Sequence, residues 1–220
     1  MHKLTLAAAC AALTLVAGSA DAALIAVEFS GDNQDGFEVW TSPVVGTTTS
    51  TQTFGSTTVT LSANTTLVLT ANQNRTLPGD LPGSFTYGGL YEDIAIAQFS
   101  NGAITMDFTG LAANTDYTFT LYAWDPESED DTTEREWTVT DANGDTAKSV
   151  TWNVPTNTVT NETYAMVFDV KTTGAGTFSV KNTGGLEGSA VNGFTLVPEP
   201  SSLALLGLGV VGMIGIRRRR

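Results

Sequence analysis

Between Leu24 and Val197 apolar and polar residues alternate with a period of two, in short runs separated by clusters of Gly, Asn, Asp and Pro. No stretch there sustains the apolar spacing of a helix. The clearest run is Asp116 to Trp124, where Tyr117, Phe119, Leu121 and Ala123 fall on one face and Thr118, Thr120, Tyr122 and Trp124 on the other. The same alternation marks half-buried strands at Ile104/Met106/Phe108, Trp137/Val139, Val150/Trp152/Val154, Tyr164/Met166/Phe168/Val170 and Phe178/Val180. A two-residue Asn143-Gly144 turn joins two of them and predicts Trp137 opposite Val150, both inward. That register also puts Lys148 opposite Val139 on the inward face, which the pattern does not explain. The Thr/Ser-rich stretch from Thr47 to Thr60 runs into Val59, Leu61, Leu67 and Leu69 at strand spacing, and reads as an edge strand and loop rather than a disordered stalk.

About a dozen such strands without crossover helices predict an all-β domain over residues 23–196, an antiparallel β-sandwich of jelly-roll type. The pattern changes at both ends. Met1-His2-Lys3 starts basic, Leu4 to Val16 is apolar, and Ala20-Asp21-Ala22 supplies an A-x-A site, so residues 1–22 read as a signal peptide cleaved between Ala22 and Ala23. Cys10 lies inside the apolar run, upstream of the better cleavage site, which argues against lipidation. At the other end, residues 197–220 hold Pro198-Glu199-Pro200, an apolar span from Leu203 to Ile216, and Arg217, Arg218, Arg219 and Arg220. The prolines stop a strand and make the span a fresh element, a short C-terminal transmembrane helix. It falls short of the ~20 residues a bilayer usually needs, a gap that snorkelling arginines and local thinning close. The arginines stay cytoplasmic, leaving the domain on the far side of the inner membrane.

This tail resembles the PEP-CTERM sorting signal of Gram-negative bacteria, in which a Pro-Glu-Pro motif, a short Leu/Gly-rich span and an Arg cluster occur in that order. The resemblance implies recognition by a membrane-embedded exosortase, with Pro198, Glu199 and Pro200 as the motif, and delivery to the cell surface or the exopolysaccharide matrix. It also implies export through the secretion translocon, processing by signal peptidase and only transient contact with the inner membrane. Two phrases in the domain are similar to bacterial surface modules. Phe108 to Phe119 looks like the strand, Gly-Leu turn and Tyr-bearing strand of galactose-binding-like and fibronectin-like domains, and Val191-Asn192-Gly193-Phe194-Thr195-Leu196 looks like a jelly-roll closing strand.

Composition narrows the chemistry. The chain has one Cys and one His, Cys10 and His2, and both belong to the leader. A mature chain without them holds no disulfide, no Cys or His metal site, no thiol nucleophile and no Ser-His-Asp triad. Of the 23 Asp and Glu, all but Asp21 and Glu199 fall between Ala23 and Val197, against only Arg75, Arg135, Lys148, Lys171 and Lys181. A surface so acidic repels nucleic acid and anionic lipid.

Three features could carry a function. The loop residues Asp125, Glu127, Glu129, Asp130 and Asp131 offer hard oxygen ligands to Ca²⁺, although acidic loops of this kind are usually only solvated. Asp141-Ala142-Asn143-Gly144-Asp145 imitates the start of a calcium loop but lacks its later Gly and Glu, and a hairpin turn explains it. Trp40, Tyr122 and Trp124 lie opposite the core-facing residues of their strands, where exposed rings could stack on sugars unless loops cover them. Three functions stay open: a non-catalytic surface or matrix component with no cofactor, a carbohydrate-binding module for self or environmental glycans such as the exopolysaccharide, and a glycosidase or lyase working through a carboxylate pair.

Overall fold

A computed structural model describes residues 24–29, 34–40, 44–69, 76–92, 94–97, 102–128, 134–182 and 189–199. The leader with Ala20, Ala22 and Ala23, the acidic-loop residues Glu129, Asp130 and Asp131, and the tail from Pro200 through the arginines lie outside them. The described residues form antiparallel sheets with almost no helix, as the period-two pattern predicts. The smaller sheet holds β1 (Ile25–Glu28), β2 (Glu38–Val39), β7 (Asp116–Tyr122), β10 (Ala165–Lys171) and β13 (Gly193–Pro198) in the order β10-β7-β13-β1-β2. Its β1/β2 pair is parallel. The larger sheet is built from β3 (Val44–Phe54), β4 (Thr57–Leu69), β5 (Ala95–Ala97), β6 (Ile104–Thr109), β8 (Glu134–Asp141), β9 (Gly144–Thr151), β11 (Phe178–Asn182) and β12 (Ser189–Val191). It runs β12-β5-β4-β6-β11-β8-β9, with β3 paired to β4. A single-turn helix, α1 (Gly88–Glu92), buries Leu90 and Tyr91.

The inner faces of both sheets share one core. Phe108 of β6 stacks on Phe178 of β11 at 4.3 Å, and Phe119 of β7 and Phe194 of β13 meet that pair edge-on from the opposite sheet. Each such ring buried contributes roughly 1.5–3 kcal/mol, and offset or edge geometry suits the ring quadrupoles. The Tyr117 hydroxyl accepts a hydrogen bond from the Ala112 N–H at 3.3 Å, a tyrosine-corner arrangement that fixes the turn into β7. In the same turn Gly110 adopts φ +79°, and a Cβ there would lie 2.2 Å from the Ser56 carbonyl oxygen, so the turn needs glycine.

Two sequence expectations change. The stretch from Thr47 to Thr60 holds the expected edge strand, since β3 pairs only with β4 among the described residues, but in place of the expected loop the chain turns at Gly55-Ser56 and returns as β4: the two strands pair from Val44↔Leu69 to Phe54↔Thr57, with register shifts between Val45 and Thr49. The β8–β9 hairpin is shifted by two positions. Asp141 pairs with Gly144, so Trp137 faces Lys148 instead of Val150, and Val139 faces Thr146 instead of Lys148. The cause lies in the Asp141 carboxylate. One oxygen accepts from the Asn143 N–H and the other from the Lys171 N–H, each at 2.7 Å, which moves the turn one residue toward β8 and leaves Gly144 at φ +110° as its exit. A two-residue shift conserves the faces, so Trp137 and Val150 are both buried as expected. It also explains Lys148, whose ammonium lies 5.4 Å from the Phe168 ring centroid and donates to the Val167 carbonyl oxygen. The residue as a whole stays exposed, so its place on the inward face buries no charge.

Candidate functional site at the end of the closing strand

The chain changes sheets between β12 and β13, and Asn192 governs the change. Its side-chain oxygen accepts from the Trp124 N–H at 2.7 Å, its amide donates to the Tyr91 carbonyl at 3.3 Å, and its own N–H donates to the Tyr122 carbonyl at 2.9 Å. Gly193 follows because nothing larger fits: a Cβ there would lie 2.4 Å from the Val27 carbonyl oxygen and 2.7 Å from Leu90 Cδ1.

This switch ends β7 at Tyr122 and overturns the reading of Trp124, Tyr122 and Trp40 as exposed sugar-stacking rings. All three are buried. Once β7 stops, the two-residue alternation stops with it, and Ala123 and Trp124 both turn inward. Trp124 stacks on Tyr164 at 4.3 Å and meets Tyr91 edge-on at 5.6 Å, while Tyr122 is capped edge-on by Phe37 and Tyr87. Burial pushes the Tyr91 hydroxyl well above the ordinary tyrosine range and raises Tyr122 to about 12, helped in each case by neighbouring tyrosines. Trp40 lies between Phe29 and Phe54, and its indole N–H donates to Ser50 Oγ at 3.1 Å.

Of the acidic loop, the described part is a single 3₁₀ turn, Pro126–Ser128. Asp125 Oδ1 accepts from the Glu127 N–H at 3.1 Å, and Glu127 Oε1 accepts from the Thr76 N–H at 3.4 Å. Both carboxylates thus serve backbone donors. Among the described residues no three metal-ligating side chains converge.

The lower end of β13 is where the sequence motif meets the fold. Ladder pairing continues through Val197↔Thr118 to Pro198↔Tyr117, and the Glu199 N–H donates to the Asp116 carbonyl at 2.9 Å. Alternation of bonded and non-bonded pairs puts Pro198 at a non-bonded position toward β7, so its missing N–H costs that ladder nothing. Pro198 is half-buried on the core side, and exposed Glu199 accepts a long hydrogen bond from Thr118 Oγ1 at 3.5 Å. Beside it lies an open depression of about 240 Å³ bounded by Asp116, Asn143, Asp169, Val170, Lys171 and Glu199. The pattern reading placed Pro198 and Glu199 in a tail separate from the domain. The structure makes both of them an extension of the central strand of the smaller sheet, and the continuous alternation Phe194/Leu196/Pro198 was the available signal.

Residues 196–220 match the family model described as the PEP-CTERM protein-sorting motif. No curated protein matches the chain in sequence. Among solved structures, a family GH115 4-O-methyl-α-glucuronidase with specificity for decorated arabinogalactans is 11% identical over 50% of this chain and 15% of its own, with a TM-score of 0.34. The enzymatically active domain of tailspike protein 4 of bacteriophage CBA120 is 17% identical over 68% of this chain and 18% of its own, with a TM-score of 0.24. The chain thus spans less than a fifth of either structure. Likenesses this distant carry nothing about activity.

Proposed function

We propose that this PEP-CTERM protein is an exported, non-catalytic component of the cell surface or exopolysaccharide matrix, held transiently at the inner membrane by residues 203–216 and processed there by an exosortase. The observation that carries this reading is the match of residues 196–220 to the sorting motif, which indicates export and a surface or extracellular destination. The non-catalytic part rests on composition, because a chain cleaved after Ala22 keeps neither Cys10 nor His2 and so has no thiol nucleophile, no Ser-His-Asp triad and no Cys or His metal site. An exported domain without disulfides has to be held by its hydrophobic core, and the shared aromatic core of the two sheets supplies that. The test is fractionation of the native cells with intact-mass analysis of the recovered chain. The expected species lies outside the inner membrane, begins near Ala23 and ends near Pro200. Recovery of the full-length chain from the cytoplasm would overturn the reading.

A further inference from the structure

The sorting motif is not a free peptide. Pro198 occupies a ladder position opposite Tyr117 and is half-buried, and the Glu199 N–H is bonded to the Asp116 carbonyl. The strand that carries them is anchored upstream by Phe194 and Leu196, both buried in the core, and is flanked by β7 and β1. From Glu199 to Leu203, where the apolar span begins, there are four Cα steps, at most about 14 Å. A folded domain on an inserted tail therefore stands against the lipid headgroups, with the end that carries Asp116, Asp169 and Glu199 toward the membrane. An enzyme that grips a peptide needs its backbone groups and both flanks. Here the groups of Glu199 and Val197 are engaged by Asp116 and Thr118 of β7.

We propose that the folded domain protects its own sorting motif, and that processing requires the C-terminal end of β13 to peel away from β7 as far as Val197. The sheet stays closed above that point, because Leu196 and Phe194 would have to leave the core for the peeling to go further. The rate of sorting is then set by a local opening equilibrium at the strand end, in addition to the enzyme that reads the motif. Two features favour a low opening cost. Val197 is exposed, and Pro198 ends the ladder toward β1 because it has no N–H to give. This inference rests on the reading that an exosortase processes the tail.

The test is a clamp and its converse in the full chain, expressed in a host that carries the sorting machinery, with the fraction shortened at the C-terminus followed by intact mass. The clamp is Val197→Cys with Thr118→Cys. These residues are directly opposed on adjacent strands at a Cα separation of about 5.5 Å, within disulfide reach, and Cys10 is the chain's only native cysteine. The motif is untouched, and the same variant treated with a thiol reductant is its own control. The converse is a ten-residue Gly/Ser insertion between Val197 and Pro198, which lifts the motif off β7. The expected results are processing slowed by about three- to tenfold when the clamp is oxidised, restored on reduction, and accelerated by a similar factor in the insertion variant. Equal rates in the oxidised and reduced clamp, or an insertion without acceleration, overturn the proposal and leave the sorting assignment standing. A parent chain that is never shortened overturns both.

Discussion

The two ends of β13 are a few residues apart and are built on opposite terms. At the upper end, Asn192 and Gly193 are fully buried. One side chain there serves the Trp124 N–H and the Tyr91 carbonyl, and the next residue has no room for a methyl group. At the lower end, Val197 and Glu199 are exposed, and the last described bonds are a single main-chain contact and one long hydroxyl contact. The upper end commits the strand to its sheet and register. The lower end carries the motif that another protein has to read, and it can open without disturbing what holds the strand above.

If the upper end anchors β13 and the lower end does not, substitutions at the two ends should differ by several-fold in their cost. The largest effect is expected at Trp124, whose replacement by Ala removes a fully buried ring stacked on Tyr164 and should cost about 3–5 kcal/mol in urea unfolding. Trp124→Phe should be clearly milder, because the indole N–H has no hydrogen-bond partner among the described residues. Next comes Asn192→Ala, which leaves the Trp124 N–H and Tyr91 carbonyl without that partner and should cost about 1–3 kcal/mol. A loss below about 0.5 kcal/mol would mean the upper end is not the anchor described here.

Alkaline pH probes the same end. Tyr91 and Tyr122 hold their protons above the unfolded tyrosine value of about 10, so the folded chain binds more protons than the unfolded one from there upward. Their contribution to stability is complete below pH ~10 and is lost as pH rises toward the raised value of about 12 for Tyr122. Tyrosinate absorbance should therefore lag behind that of free tyrosine and then rise together with loss of the fold. Titration of Tyr91 and Tyr122 near pH 10, with the fold intact, would contradict the burial of this cluster. The smallest effect belongs to the lower end: Glu199→Gln should shift unfolding by less than about 0.5 kcal/mol, since Glu199 is exposed and makes only the one long side-chain contact. A larger loss would make the motif part of the structural core.

Much of the fold was legible in the chain because burial on a strand has a period of two. Phe119 and Leu121 of β7, Met106 and Phe108 of β6, and Met166 and Phe168 of β10 all face the core as their alternation predicts. The site was legible only in part. Pro198 and Glu199 were visible as a motif, but not as strand residues, because the same prolines that define the motif also look like the end of a strand. The aromatic site residues were misjudged for a related reason. Alternation says which side of a strand a ring occupies, and it says nothing about where the strand stops or what covers it. Trp124 lies two residues beyond the end of β7 and Trp40 one residue beyond β2, where the rule no longer applies.

The all-β class, the faces of the long strands and the presence of the sorting signal were all readable from the order of residues. Each of these is a local property, written in residue periodicity or in a contiguous motif. The hairpin register at Asp141, the burial of Trp40 and Trp124, the sheet change at Asn192 and the pairing of Pro198 and Glu199 with β7 follow from the folded arrangement instead. Each of those depends on a partner far along the chain, Lys171, Ser50, Tyr91 and Asp116 among them. No one-dimensional pattern specifies which distant backbone group will be there to accept or donate the bond.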